Sequence, residues 1–293
     1  SLRGKVVVID FWTFSCINCI RTLPALKALH EKYASQGLVI VGAHTPEFAF
    51  EHKLENVKKA VAEHGLKHAI FQDNDYKTWN AYRNRYWPAK YVIDKEGFIR
   101  YTHFGEGAYE ETEQVIKYLL TEGKNAEGEL DFSIVEKAME GIETAETYLG
   151  TDRHMVKGTF SAMSPANFQA VFSSPQPISD AAEAVFYTIP SALEKNEWAL
   201  SGDWIFDEEK VVSRSDEASI TLHYTAGSAN LVMGFQENPV ELEVWIDGKN
   251  THQNFTVDGY NLYRITKHDH AESHIVELRF REKGVELYAW TFG

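Results

Sequence analysis

The chain has 293 residues, of which 44% are hydrophobic and 25% are charged, and its formal net charge is −14. The composition is that of an ordinary folded protein, and the length gives two domains as the natural prior. The acidic balance argues against nucleic acid and anionic membrane surfaces as partners, and it also favours solubility.

Hydropathy and the start of the chain give two further limits. No stretch approaches the ~18 uncharged apolar residues of a membrane-spanning helix. Residues 2–5 lead straight into a strand with no signal-peptide pattern. This abrupt start suggests a mature or excised piece of a longer chain.

The N-terminal part alternates between strand and helix patterns. Residues 5–11, KVVVIDF, form a near-continuous apolar run that is typical of a strand buried on both faces. In chain order, we predict a strand at 5–11, a helix at 17–34, strands at 38–43 and 69–72 with a helix at 54–64 between them, a helix at 76–83, strands at 91–94 and 98–103, and a helix at 109–120. This order predicts an α/β domain with a mixed central sheet flanked by helices.

The residue pattern changes after the first 120 or so residues of the chain. Residues 121–158 are charged and Glu-rich, with a helical patch near 135–142, and we interpret them as a linker region. Short alternating runs such as SITLHYTA and ELEVWID then follow, separated by turn residues, and they predict an all-β sandwich or jelly roll. We therefore predict a redox domain at 1–123, a linker at 124–157 and a β domain at 158–293.

The two cysteines, Cys16 and Cys19, are the only ones in the chain, so a structural disulfide framework cannot exist. They follow a predicted buried strand and open a helix. Unpaired N–H groups and the positive end of the helix dipole favour a thiolate at Cys16, and a thiolate attacks disulfides. Cys19, one turn later, can then resolve the mixed disulfide. Zinc binding would need two further ligands from His, Asp or Glu, and an inert pair is the other alternative; the strand–CxxC–helix context favours redox chemistry.

These residues resemble the thioredoxin superfamily over about residues 1–123. Asp10-Phe11-Trp12 stands where thioredoxins carry an aspartate six residues before the first cysteine. Pro24 matches the proline five residues after the second cysteine, and Pro88, just before a strand, matches the cis-proline beside the disulfide. The resemblance implies a thioredoxin-like fold and thiol:disulfide oxidoreductase activity.

A closer resemblance is to the TlpA/ResA-like branch, whose members insert a helix in mid-domain, as residues 54–64 do. Two sequence segments are most similar to the soluble C-terminal part of DipZ-type proteins, namely FWTFSCINCIRTLP and GAHTPEF. In that family a membrane electron-conducting domain precedes the thioredoxin-like domain, and a β-sandwich resembling carbohydrate-binding modules follows it. The resemblance therefore implies an extracytoplasmic (periplasmic or cell-surface) location, with membrane association through a preceding part and a link to cytochrome c biogenesis.

The resemblance also implies roles for three residues around the cysteines. Asp10 would exchange a proton with Cys19, and a purely structural role is disfavoured because a buried carboxylate without a cation is costly. Pro88 would shape the groove for an extended substrate strand; an ordinary trans proline is the alternative. Glu47 matches an acidic residue near the active site of this branch, and a solvated loop carboxylate is its alternative.

Two tryptophans and the residues between the cysteines complete the predicted site. Trp12 and Trp87 are predicted to form apolar walls that contact substrate, with core packing as the alternative. The dipeptide Ile17-Asn18 lacks the histidine of strongly oxidising relatives, which favours a reductase-type potential, although the cationic Arg21 acts in the opposite direction.

The resulting hypothesis is an extracytoplasmic thiol:disulfide oxidoreductase that reduces disulfides in other proteins with electrons from a membrane partner. Its redox centre is the Cys16–Cys19 disulfide, with no dissociable cofactor, no metal and no nucleic acid. The rival is a binding or adaptor protein, in which the β domain recognises a glycan or a partner protein and the thioredoxin-like domain is a scaffold. The aromatic residues of the β domain fit such a platform, but in strands they are more often core or cross-strand pairs.

Overall fold

Residues 2–121, 140–151 and 183–293 are described by a computed structural model. Contacts divide the chain into two units, Ser1–Lys137 and Ala138–Gly293. The predicted linker and its helical patch near 135–142 lie largely outside the described residues, so the predicted domain limits stay predictions. Within the described ranges, no helix is both long enough and apolar enough to cross a membrane.

The first unit is built on a mixed sheet in the order β3-β2-β1-β4-β5. Strand β1 (Val6–Trp12) lies at its centre and is buried at every position, as its apolar run predicts. Strands β2 (Leu38–His44) and β3 (Ala69–Gln72) continue the sheet in parallel on one side. Strands β4 (Ala89–Ile93) and β5 (Ile99–Phe104) add an antiparallel hairpin on the other side. The predicted mixed sheet is confirmed.

Four helices accompany this sheet in the described part of the first unit. They are α1 (Ile17–Tyr33), α2 (Leu54–Glu63), α3 (Lys77–Ala81) and α4 (Tyr109–Leu120), with a 3₁₀ helix at Ala49–His52. Helical spacing predicts that Leu23, Leu26 and Leu29 share one face of α1, and all three are buried. Both α1 and α4 therefore form as their hydrophobic spacing predicts, and α4 contacts β1, β4 and β5.

The second unit is all-β in its described residues, which confirms the predicted class. Its strands are β6 (Thr147–Tyr148), β7 (Val185–Tyr187), β8 (Trp198–Phe206), β9 (Val211–Ser213), β10 (Ser219–Phe235), β11 (Val240–Ile246), β12 (Lys249–Val257), β13 (Asn261–Phe280) and β14 (Val285–Phe292). They share a nine-stranded sheet in the order β12-β11-β13-β10-β14-β9-β8-β7, with β6 on β14. The start of β10 also pairs with β8. Strands β8, β9, β14 and β10 are therefore paired in a closed ring. The core of this unit contains Trp198, Trp204 and Trp290.

Strand pairing in the first unit fixes the neighbours of one acidic residue. Asp10 lies directly opposite Lys90 of β4 on one side and Gly42 of β2 on the other. A Cβ on Gly42 would stand 3.0 Å from Trp12 Nε1 and 3.1 Å from Ile70 Cγ1, so a larger residue at this position would crowd both side chains. The Asp10 carboxyl therefore has a single side-chain neighbour across the strands, the lysine.

Candidate active site

Cys16 is the N-cap residue of α1, where an extended backbone turns into the helix. Its Sγ accepts a hydrogen bond from the backbone N–H of Cys19 at 3.3 Å. Both cysteines are free, and Cys16 is partly exposed whereas Cys19 is buried. A sulfur at this position meets the unpaired N–H groups and the positive end of the helix dipole, which stabilise a thiolate.

Cys19 has a buried, weakly acidic thiol. Burial raises the pKa of its thiol well above the ordinary value, and the hydrogen bond and charge of Cys16 raise it further. The negative charge of Asp10 acts in the same direction. Cys19 therefore needs a base before it can act as a nucleophile.

Asp10 is 1% exposed, and its Oδ1 has no hydrogen-bond partner among the described residues. Burial raises the pKa of this carboxyl from 3.8 to about 7, and the opposing charge of Lys90 lowers it in part. A carboxyl that titrates near neutral pH can both take and release a proton under ordinary conditions.

Lys90 is a buried lysine that is not among the predicted site residues. Its side chain is 1% exposed, and within the described part of the chain its Nζ has no hydrogen-bond partner. Burial lowers the pKa of the ammonium, while the charges of Asp10, Cys19 and Glu106 raise it. The signal was present in the sequence, because a lysine interrupts the otherwise apolar strand AKYVI directly after Pro88.

A buried carboxylate holds the residue that precedes Cys16. Glu51 accepts hydrogen bonds from the Ser15 hydroxyl at 2.7 Å and the Ser15 N–H at 3.3 Å. Its second oxygen accepts from the N–H groups of Glu47 at 2.5 Å and Phe48 at 3.0 Å. Burial, and then the nearby charge of Glu47, raise the pKa of Glu51 to about 6. Glu51, which is not among the predicted site residues, is thus the carboxylate that holds the loop before Cys16, and its neighbour is the predicted Glu47.

Backbone groups of Thr45 link the two predicted tryptophans by hydrogen bonds, and the predicted Pro88 directly follows one of them. The Trp87–Pro88 peptide bond is cis, as the resemblance implies. The Trp87 indole N–H donates to the Thr45 carbonyl at 3.0 Å, and the Thr45 N–H donates to the Trp12 carbonyl at 3.0 Å. Trp12 is fully buried, which fits core packing, whereas Trp87 is half-buried and packs on Trp79.

Arg21 connects the CxxC dipeptide to the loop after β5. Its guanidinium donates to the Asn18 side-chain oxygen at 2.5 Å and to both carboxylate oxygens of Glu106 at 2.8 and 3.0 Å. The Glu106 carboxylate therefore opposes the positive charge that Arg21 places beside the cysteine pair.

Most aromatic residues of the β unit that could stack on a glycan are in its core. Trp198, Trp204, Tyr224 and Trp290 are fully buried. The half-buried Trp245 is covered by the Arg279 guanidinium at 4.0 Å from its ring centre. These positions fit the core-packing alternative. In the described ranges, no three His, Cys, Asp or Glu side chains cluster closely enough to hold a metal ion.

Comparison with known proteins places these features in a family. A family model described as thioredoxin like C-terminal domain matches residues 144–293, just over half of the chain, and the AhpC/TSA family model matches residues 1–102. The chain belongs to the thioredoxin-like C-terminal domain family. Protein DipZ of Mycobacterium tuberculosis and of Mycobacterium bovis is 35% identical along the whole chain. The chain spans 39% of the length of these DipZ proteins.

Other relatives match a smaller share of the chain. The thiol-disulfide oxidoreductase YkuV of Bacillus subtilis is 32% identical over 40% of the chain and 79% of its own length. A solved thiol-disulfide isomerase from Corynebacterium glutamicum aligns at 25% identity with a TM-score of 0.39, covering 41% of this chain and 83% of its own. YkuV and a further relative, ResA of Bacillus thuringiensis, are both named thiol-disulfide oxidoreductases.

Proposed function

We propose that the chain exchanges a dithiol for a disulfide at Cys16 and Cys19 and so reduces disulfides in other proteins. The observation that carries this proposal is the pairing of unlike thiols. The partly exposed sulfur of Cys16 caps helix α1. One turn later, the sulfur of Cys19 is buried and is affected by the charge of the buried Asp10 carboxyl.

The reaction proceeds in two steps. The Cys16 thiolate attacks a substrate disulfide, forms a mixed disulfide and releases one substrate sulfur as thiolate. The Asp10 carboxylate then takes the proton of Cys19, and the Cys19 thiolate attacks Cys16 and releases the second substrate sulfur. Two electrons pass from the cysteine pair to the substrate, and the pair ends as a disulfide. Asp10 returns its proton to solvent or to a released thiolate.

The substrate groove and the surroundings of the site follow from the same arrangement. Pro88 precedes β4 and follows the half-buried Trp87, and an extended substrate segment would lie beside them. Glu47 acts near this site through its neighbour Glu51. Trp12 supports the site from the core rather than by contact with substrate.

The electron source and location are part of this proposal. The match to DipZ along the whole chain supports an extracytoplasmic location and a membrane electron-conducting partner that restores the dithiol, as the family resemblance implies. It also supports a division into a redox domain at 1–123, a linker at 124–157 and a β domain at 158–293. A glycan or a partner protein is the ligand class to test on the β domain.

The deciding experiment compares Cys16→Ser and Cys19→Ser variants of the full chain in a dithiothreitol-driven disulfide reduction assay. We expect Cys16→Ser to lose at least about a thousandfold in rate, because the nucleophile is gone. Without dithiothreitol, Cys19→Ser should accumulate a mixed disulfide with the substrate, visible by mass spectrometry. Equal activity in both variants and the wild type would contradict the proposal and favour the binding-protein alternative.

Equilibration with a dithiothreitol or glutathione series sharpens the result. A reductase should show a reduction potential near that of thioredoxin, about −270 mV. A value near about −120 mV would instead make the pair an oxidant of other proteins.

A further inference from the structure

Lys90 and Asp10 occupy the same face of the central sheet. They are direct cross-strand partners in the antiparallel β1–β4 pair, and such partners project to the same side. On the other flank, the residue opposite Asp10 is Gly42, which contributes no side chain. The lysine is therefore the cation that strand pairing places against the carboxyl.

The surroundings of Lys90 do not explain it as a structural residue. Its Nζ lies 5.8 Å from the centre of the Tyr109 ring, at the start of α4. Neither this Nζ nor Asp10 Oδ1 has a hydrogen-bond partner in residues 2–121, 140–151 and 183–293. A buried ammonium without hydrogen bonds is costly, and apolar side chains of similar size often stabilise a protein more than buried ion pairs do. A stability role alone therefore gives no reason for a lysine here.

The charges that act on Lys90 come from the reaction centre and from the loop next to it. Lys90 faces the charges of Asp10 from β1, Cys19 from α1 and Glu106 from the loop after β5. Cys19 in turn faces Cys16 and Asp10. During resolution, one negative charge moves between the Asp10 carboxylate and the Cys19 sulfur, and Lys90 faces both ends of that transfer.

We propose that Lys90 is a positioning residue of the thiol-disulfide reaction, whose buried ammonium keeps Asp10 available as a base for Cys19 at neutral pH. The inference rests on the proposed function. The proton passes from the Cys19 sulfur to an Asp10 oxygen, and the two electrons of the new S–S bond follow the route described above. Lys90 neither gives nor takes a proton; it stabilises the anion at whichever end holds the charge.

The test is a pH profile of single-turnover oxidation of the full, reduced chain by a disulfide-linked peptide. Formation of the Cys16–Cys19 disulfide is followed by acid quench and thiol labelling between pH 5.5 and 9.5. Lys90→Met removes the charge and keeps a similar length, and Lys77→Met, on an exposed lysine, is the matched control. Loss of a close opposite charge raises a carboxyl pKa by roughly one unit or more. We therefore expect Lys90→Met to be at least about fivefold slower at pH 7 and to recover by about pH 9.

A second background separates this role from a structural one. In Asp10→Asn, the added Lys90→Met change should shift the pH midpoint less than it does in the wild type, because only the Cys19 thiolate is left for Lys90 to stabilise. A loss of equal size at every pH, or the same shift in the Asp10→Asn background, would overturn the proposal. Lys90→Gln is the second neutral variant if Lys90→Met does not fold.

Direct titration gives a readout that is independent of turnover. The carbon-13 carboxyl resonance of Asp10 in the reduced chain should titrate at higher pH in Lys90→Met than in the wild type, and an unchanged midpoint would overturn the role of Lys90. Wild-type protein that performs no exchange at any pH would contradict the proposed function itself. Normal exchange with an unmoved pH profile in Lys90→Met would overturn only the inference about the lysine.

Discussion

Both units bury an acid beside a lysine, but the two pairs are built differently. In the β unit, Glu286 is held by Lys210 at 2.7 Å and by the Tyr288 hydroxyl at 2.8 Å. In the first unit, Asp10 and Lys90 face each other without a hydrogen bond at Asp10 Oδ1 or Lys90 Nζ within the described residues. In the β unit, hydrogen bonds to Lys210 and Tyr288 hold the carboxylate of Glu286 in place. In the first unit, no such hydrogen bonds hold Asp10 Oδ1 and Lys90 Nζ within the described residues, so the two groups can adjust to a change of charge.

The difference shows how a buried acid beside a lysine can serve two different functions. Hydrogen bonds that satisfy a buried carboxylate stabilise its charged form and fix the side chain in place. Burial without such hydrogen bonds raises the pKa of a carboxyl towards neutral pH. The carboxyl can then take up and release a proton at neutral pH. The β unit uses its pair for packing, and the first unit uses its pair beside two thiols.

The largest expected stability effect is that of Asp10→Asn, and it depends on pH. The folded-state pKa of Asp10 is about 7 and the ordinary value is 3.8. Because the folded state keeps the proton longer, the stability contributed by protonated Asp10 is complete below about pH 4 and is lost as pH rises to 7. At about 1.4 kcal/mol per pH unit, Asp10→Asn should gain about 4 kcal/mol on the wild type between pH 4 and 8.

Urea unfolding of both proteins across this pH range measures the gain. The difference between variant and wild type is the useful quantity, since it cancels the titration of all other groups. A difference that stays constant with pH would mean that Asp10 titrates normally, and the contrast between the two buried pairs would disappear.

Lys→Met changes in each pair compare the two sites directly. Lys210→Met leaves the buried Glu286 with the Tyr288 hydroxyl but without its cation, and we expect a loss of about 2–4 kcal/mol in unfolding free energy. Lys90→Met removes a buried ammonium that lacks hydrogen bonds in the described structure, so stability at pH 6 should change by less than about 1 kcal/mol or rise. Equal losses in the two variants would show that Lys90 is a structural residue like Lys210.

The sequence predicts those parts of the site that are local in the chain or tied to a family pattern. Cys16 and Cys19 follow a strand and open a helix, and hydrophobic spacing alone places both elements. Asp10 lies on that same strand at a fixed distance from the cysteines. The ends of β3 and α4 also match the predicted ones because turn residues or polar residues bound each apolar pattern.

The sequence does not predict contacts that depend on long-range pairing. Lys90 meets Asp10 only through the register of β1 on β4, and a shift of one residue would move it to the other face of the sheet. Glu51, rather than Glu47, reaches Ser15 because the 3₁₀ turn at Ala49–His52 folds it back. The return of β10 onto β8 likewise depends on register rather than on composition.

A smaller effect is expected at Glu51, which has a closed hydrogen-bond set like that of Glu286 but lies in the first unit. Glu51→Gln keeps the shape, but its NH₂ group replaces one acceptor oxygen and so opposes the N–H donors of Glu47 and Phe48 or the groups of Ser15. We expect a loss of roughly 1–3 kcal/mol in unfolding free energy.

The activity of Glu51→Gln decides what this carboxylate supports. Because Ser15 directly precedes the cysteine that attacks substrate, a looser loop should slow disulfide exchange a few-fold with an unchanged reduction potential. Glu63→Gln, which breaks an exposed pair with Lys59, is the matched control and should alter neither property. Lost stability with wild-type exchange rates would show that Glu51 belongs with Glu286 as a purely structural acid. Slowed exchange would show that a satisfied buried carboxylate also orders the site around the responsive pair.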